Sequence, residues 1–383
     1  MQFGLTETQQ NVKNTTRKFL SAECPLAEVR RLMETDTAYD AALWKKMAGQ
    51  GWTGIIFPEE YEGFGMGMVE MAAALEEMGR ALLPGPFLST VLLAGAAIDS
   101  AADHEGKRRW LVPICKGDAR STLALLEDSA SWSVDAVQLE ARSGNTLRGR
   151  KLFVPDAGVA DYLVVAARMG GELALFAVPR DAKGIAITAM PSVDNTRKLY
   201  EVDFDNVAAE HLLARGERAV EAIEHALDVA TVGICAEMLG GMQRLLEIAV
   251  EYAKTRKQFG KPIGSFQAVQ HMCADMLVYS ESSRSAAYYA AYALNDGIPE
   301  ARTAISVAKA YCSDAYRECG NRAIQIHGGM GFTWENDCHL YYRRAKASEI
   351  AFGDATYHRE RIARLVIDKV AVAKEAEIAT AMV

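Results

Sequence analysis

The stretch "RAVEAIEHALDVATVGICAEMLGGMQRLLEIAVEYAKTR", from Arg218 to Arg256, limits the fold more than any other. Its apolar residues recur at helical spacing with no proline to stop them, so it reads as one helix of about 38 residues. A second apolar stretch, "FQAVQHMCADMLVYSESSRSAAYYAAYAL", follows. The chain is therefore expected to be helical from residue 216 to its end at 383. Residues 1–120 also read as helices. "LTETQQNVKNTTRKFLSAE" sets Thr6 three residues before Gln9, a capping box, and Leu5, Val12, Phe19 and Leu20 follow at helical spacing. "MVEMAAALEEMGRAL" and "EGKRRWLVPICKG" continue in that style, and "FPEEYEGFGMG" is a loop rich in glycine and aromatics.

Residues 121–215 have another texture. "STLALLE", "AVQLEA", "TLRGRKLFV", "DYLVVAAR", "LALFAVP", "IAITAM" and "LYEVDFDNV" are short alternating or apolar runs, parted by turn signals such as "SGN", "MGG" and "RDAKG". Strands so closely spaced predict an antiparallel sandwich or barrel. The expected fold class is mainly α with a central β-domain: an N-terminal helical domain (1–120), a middle β-domain (121–215) and a C-terminal helical bundle (216–383).

Composition removes several functions. A formal charge of −8 gives no nucleic-acid footprint. No apolar run is long enough for a membrane span, and the start does not read as a signal peptide. The seven cysteines contain no CxxC pair and no zinc-ligand spacing, which predicts no metal site and reduced thiols in a cytoplasmic protein.

Two turns could carry chemistry. In "EYAKTRKQFGKPIGSFQAVQHMCADM" a basic helix end leads through Phe259-Gly260 into a new helix. Arg256 can pair bidentately with a phosphate and Gln258 can add amide hydrogen bonds; the plainer reading is a helix–helix turn with a solvated basic face. In "AIQIHGGMGFTWE", Gly328, Gly329 and Gly331 allow a ligand close to the backbone, or make an ordinary turn. Gln325 stands at the end of a predicted helix, and His327 is either an interior histidine or a base.

The helical–β–helical order, the RxQFG turn, the QxxGGxG turn and the following "RRAKASEI" together resemble the acyl-CoA dehydrogenase family over almost the whole chain. The resemblance implies a C-terminal four-helix bundle and FAD bound between subunits of a tetramer. It implies that Arg256 and Phe259, with Gln258, reach the FAD of a neighbouring subunit. Gln325, Gly328 and Gly329 would contact the adenosine-diphosphate half, and Gln267 is a further candidate. Backbone N–H groups, amides and a guanidinium suit a pyrophosphate. The family removes two hydrogens from an acyl-CoA thioester: a carboxylate takes the α-proton and the flavin takes the β-hydride.

In that alignment this chain has no base, so its catalytic residues are unknown. Phe352 takes the usual glutamate slot, with Gly353 kept and Asp354 in place of a threonine. The alternative slot on the long helix falls at Ala230, beside Thr231, while Asp228 matches a family aspartate near the CoA end. The flavin-ring motifs read Leu126-Glu127-Asp128 and Phe153-Val154-Pro155, where a tryptophan and threonines are expected. Asp354, Glu349 and Glu237 are substitute bases to weigh against caps and ion-pair partners; His327 and His358 are weaker ones.

"FGDATYH" looks like chains of bacterial α2β2 members that act on steroid side chains or dicarboxylic acyl-CoAs. The expectation is a base-lacking subunit that lends its adenosine-diphosphate contacts to a homologous partner's FAD, or else a homotetramer, with electron-transferring flavoprotein as acceptor. A flavin-dependent monooxygenase on the same fold and a non-catalytic scaffold are the rival readings.

Overall fold

The computed structural model describes residues 4–142, 145–209 and 211–368. Two residues of the expected "SGN" turn, Ser143 and Gly144, and the C-terminal stretch 369–383 lie outside the described residues.

The chain opens with helices α1 (Glu7–Glu23), α2 (Leu26–Met33), α3 (Ala41–Gly49), α4 (Met68–Arg80), α5 (Ala96–Ala101), α6 (His104–Gly106) and α7 (Val112–Cys115). The capping box at α1 is present. Thr6 Oγ1 accepts the Gln9 N–H at 3.3 Å, and the Gln9 side chain accepts the Thr6 N–H at 2.9 Å. A wider π-helical turn, Leu88–Gly95, runs into α5.

Eight strands follow: β1 (Ser121–Ala124), β2 (Glu140–Arg142), β3 (Thr146–Pro155), β4 (Tyr162–Met169), β5 (Glu172–Pro179), β6 (Ile185–Met190), β7 (Leu199–Ala208) and β8 (His211–Arg215). Their hydrogen-bonded order is β6-β7-β3-β2-β4-β5-β8, with β1 added on β4. Most pairings are antiparallel, as expected. Two are parallel, β1 and β2 each against β4, because the connections between these strands cross over instead of forming hairpins. Register breaks at Leu147/Arg148 and Lys151/Val154 bend β3. Val154, Val202 and Phe204 from one half of the sheet then share a buried cluster with Val165, Phe176 and Val178 from the other.

The long stretch is a single helix, α8 (Glu217–Thr255), of 39 residues. A small ribbon of β9 (Lys257–Gln258) and β10 (Lys261–Pro262) leads to α9 (Gln267–Asn295), α10 (Ala301–His327), α11 (Cys338–Ile350) and α12 (Ala355–Ala363). The first helices and the last ones share one core, with Leu75 and Met78 of α4 in the same cluster as Val232, Met238 and Met242 of α8. Glycines let α4 and α8 touch backbone to backbone. A Cβ at Gly240 would overlap the Glu76 carbonyl, and one at Gly79 would overlap that of Glu237.

Two buried polar knots fix the layers. Glu76 is fully buried on α4 and receives Lys13 of α1 at 2.6 Å, and Arg284 and Tyr288 of α9 at 2.8 and 2.7 Å. Those cations hold its carboxyl below the usual range against the opposing effect of burial. Arg344 of α11 pairs with Asp194 at 2.6 Å and donates to the Leu83 carbonyl at 3.2 Å, while Arg197 pairs with Glu237 of α8. The segment between β6 and β7 is thus tied to the helices on which the candidate site sits.

Candidate functional site

The first turn is built at the end of α8. Arg256 leaves the helix in an extended conformation, its N–H still bound to Tyr252 O at 2.8 Å and its carbonyl accepting Ile263 N–H at 2.8 Å. Between β9 and β10 only Phe259 and Gly260 remain, at φ 53° and 77°. A two-residue hairpin turn with both φ positive matches the twist of its strands. It lifts Phe259 to the tip, where 91% of the residue is exposed. Arg256, Gln258 and Gln267 are exposed as well. Among the described residues, none of these three side chains has a hydrogen-bond or ion-pair partner.

The second turn ends α10. Gly328 adopts φ 60°, and a Cβ on Gly328 or Gly329 would meet nothing within 4 Å, so open space lies over this backbone. Gln325 is exposed beside it. His327 is not. It donates from Nδ1 to Ala323 O at 2.7 Å, lies near Cys338, and burial lowers its pKa. Its ring stacks on Tyr252 at 4.2 Å and 24°. That stack fastens the Gln325–Gly329 turn to the helix end carrying Arg256, and it answers the question about His327: an interior histidine that aligns two turns.

The base position is arranged very differently. After α11, Phe352 takes φ 59° and Gly353 φ 96°. A left-handed phenylalanine is strained, by about 1–3 kcal/mol, and the surroundings hold it. Lys309 Nζ donates to the carbonyls of Glu349 (3.0 Å) and Gly353 (2.7 Å) and to Ser313 Oγ (3.0 Å). His358 donates from Nε2 to the Phe352 carbonyl at 2.9 Å. Burial, helped by the Lys309 charge, pushes the His358 pKa down to about 4, so the ring is neutral. Burial likewise pushes Lys309 down to about 8. The Phe352 side chain turns inward, only 6% exposed, and meets Trp132 edge to face at 5.2 Å.

Every substitute carboxylate is already engaged. Asp354 caps α12, accepting the Tyr357 N–H at 2.8 Å. Glu349 pairs with Arg317 and with Lys346 at 2.6 Å. Glu237 is buried against Arg197. Asp228 is clamped by Arg361 at 2.8 Å and Arg302 at 3.3 Å. Ala230 and Thr231 are buried in α8, and the Thr231 hydroxyl donates to Leu227 O. Replacing Asp354 by alanine is therefore expected to lower stability by about 1 kcal/mol, the worth of an N-cap. Chemical denaturation measures that loss.

The sheet side is also closed on itself. Glu127 accepts Lys151 Nζ at 2.6 Å and the Gln138 and Leu139 N–H groups, and Asp128 pairs with Arg150 at 3.0 Å. Phe153 sits half-exposed at φ 53°. Sequence reasoning missed Tyr252, Lys309 and Trp132. Only Lys309 carries a signal, as a lone charge inside the apolar run "AISVAKAY" of a helix.

Among the described residues, no helix is long and apolar enough to cross a membrane. Residues 6–118 match the acyl-CoA dehydrogenase N-terminal domain and residues 219–367 the acyl-CoA dehydrogenase C-terminal domain. The chain is 31% identical to the acryloyl-CoA reductase (NADH) of Anaerotignum propionicum, over 96% of this chain and 97% of that protein. It is 28% identical to a chain of the ChsE4-ChsE5 complex from Mycobacterium tuberculosis, covering 95% of this chain and 98% of that one, with a TM-score of 0.87. It is 29% identical to a chain of the Tcur3481-Tcur3483 steroid ACAD, covering 95% and 99%, with a TM-score of 0.85.

Proposed function

This chain belongs to the acyl-CoA dehydrogenase family, and we propose that it works there as a base-lacking subunit of a two-chain enzyme. Its cofactor is FAD. When bound, FAD supplies the hydride acceptor for desaturating an acyl-CoA thioester between its α and β carbons. The residues of this chain fit one half of that cofactor. The guanidinium of Arg256, unpartnered among the described residues, the amides of Gln258, Gln267 and Gln325, the raised Phe259 ring and the open backbone at Gly328 and Gly329 are all exposed. Donors of this kind suit the pyrophosphate of a flavin held mainly by another subunit. The chain's own flavin-ring side does not fit as well, because Glu127 and Asp128 are consumed by Lys151 and Arg150.

One observation carries the reading: position 352 holds a buried phenylalanine that cannot take a proton. The α-proton is then removed by a carboxylate of a homologous partner. A bulky or dicarboxylic acyl-CoA is the proposed substrate, and half of the sites stand vacant because Phe352 and Trp132 fill this one. The ChsE4-ChsE5 complex and the Tcur3481-Tcur3483 steroid ACAD support a two-chain assembly of this kind. The proposed domains are 1–120, 121–215 and 216–383, and electron-transferring flavoprotein is the proposed acceptor.

The test compares the chain alone with the chain co-purified with its partner. FAD per chain is read by absorbance, and an acyl-CoA is then added without oxygen. The expected result is no bleaching by the chain alone and full bleaching by the pair. Stoichiometric FAD that bleaches on the chain alone would sink the proposal. A pair whose activity survives removal of the Arg256 side chain would reduce this chain to a scaffold.

A further inference from the structure

The segment between β1 and β2 crosses out of the sheet and lies over the α11–α12 turn. It is fixed at its two ends. Glu127 accepts the Gln138 and Leu139 N–H groups, each at 3.0 Å, drawing the ends together. Arg168 of β4 then donates to the carbonyls of Val137 and Val134 at 3.0 and 3.1 Å. Between these anchors the strap is held by the exposed Asp128–Arg150 pair at 3.0 Å and by Trp132. The described backbone hydrogen bonds of Ser129–Ser133 stay within the strap: Ala130 N–H to the Glu127 carbonyl, Ala136 N–H to the Ser133 carbonyl, and the Ser131 and Ser133 N–H groups to preceding serine hydroxyls at 3.4 and 3.3 Å. Ala130 adopts φ 50°, an unfavourable conformation for a residue with a side chain. The one large ring in the segment is Trp132, which packs on the helical core and meets Phe352 edge to face at 5.2 Å.

Beneath the strap, the floor is rigid. Lys309 and His358 hold the carbonyls of Glu349, Phe352 and Gly353, and His358 keeps a buried Nδ1 with no partner among the described residues. A fixed floor, a lightly bonded cover and a single aromatic contact between them make a latch, since one such ring pair contributes about 0.5–1.5 kcal/mol beyond its buried area.

We propose that Trp132, seated on Phe352, latches this strap shut and excludes acyl-CoA thioesters from the subunit's own interior. The inference rests on the reading of the chain as a base-lacking subunit, and it names the residue that makes the vacated position unreceptive. It assigns Trp132 a specificity role: acyl thioesters are directed to the partner's site because this one is closed. A latch that keeps the open form to about a tenth of the population weakens apparent affinity about tenfold, and removing it returns that factor.

The experiment uses the full-length chain and equilibrium dialysis against octanoyl-CoA, with free CoA as the control for binding of the nucleotide end alone. Wild type and Trp132→Phe, which keeps a ring on Phe352, are expected to bind octanoyl-CoA with about equal, weak affinity. Trp132→Ala is expected to retain it about tenfold better than wild type. Phe352→Ala opens the same contact from below and should do likewise, which keeps the test decisive if the first variant does not fold. Circular dichroism and a cooperative melt establish folding. Octanoyl-CoA bound by wild type as tightly as by a folded Trp132→Ala or Phe352→Ala overturns the latch. Neither outcome touches the base-lacking reading, which falls only if flavin on the chain alone is bleached.

Discussion

Arg256→Ala is expected to strip FAD from the assembled enzyme while leaving the fold of this chain intact. The arginine stands outside the helix it terminates, exposed, and its guanidinium has no partner among the described residues. Among the described residues, no hydrogen bond or ion pair is lost with it. Against a pyrophosphate it would make a bidentate, charge-assisted pair worth about 3 kcal/mol. Its removal should therefore weaken FAD about 100-fold. Flavin retained after dilution and gel filtration measures the loss, and the melting temperature of the chain without flavin should not move. Arg256→Lys restores charge without the planar fork, so recovery should be partial. Full retention in the alanine variant would return the RxQFG turn to its plainer reading, a solvated helix–helix connection.

Gly240→Ala is expected to be the most damaging single methyl in the molecule. On propensity alone it should help, since alanine is favoured over glycine inside a helix by about 1 kcal/mol. The crossing with α4 reverses the sign. The new Cβ would overlap the Glu76 carbonyl and lie 2.8 Å from the Arg80 nitrogen, and both are backbone atoms that cannot rotate away. Two helices that share the main core must separate. Overpacking of this kind costs about 3 kcal/mol or more, which should lower the melting temperature by on the order of 10 °C. Gly49→Ala is the matched control. It lies in a helix with nothing within 4 Å of a new Cβ, and should be neutral or slightly stabilising.

The parts of the fold written in local pattern were legible. The capping box of α1, the length of α8, the start of α9 and seven of the strands each leave a periodic or turn signal within their own residues. The strand His211–Arg215 and the body of α10 were not named. The first is five residues long and stands directly before α8. The second carries charges and serines among its apolar positions. The two parallel pairings on β4 depend on crossovers that no window of sequence displays. At the candidate site, the RxQFG and QxxGGxG turns were visible as motifs, but their meeting was not. It depends on a ring from α8 stacking on a ring from α10, Tyr252 on His327. That neither aligned base slot holds a carboxylate could be read from Phe352 and Ala230. That the place is filled, with Trp132 from a distant segment, could not.

The knot around Glu76 has a consequence for how the protein is made. Its partners Arg284 and Tyr288 stand 208 and 212 residues further along the chain. When the first four helices leave the ribosome, the carboxylate they must bury has only Lys13 to meet it, and the apolar face of α4 has no α8 to cover it. At synthesis rates of about 5–20 residues per second, that condition lasts on the order of ten seconds or more. Contacts so distant in sequence also slow the final collapse. The N-terminal third therefore completes its core only after α8 and α9 have been translated, and for that interval it is a natural client for a chaperone.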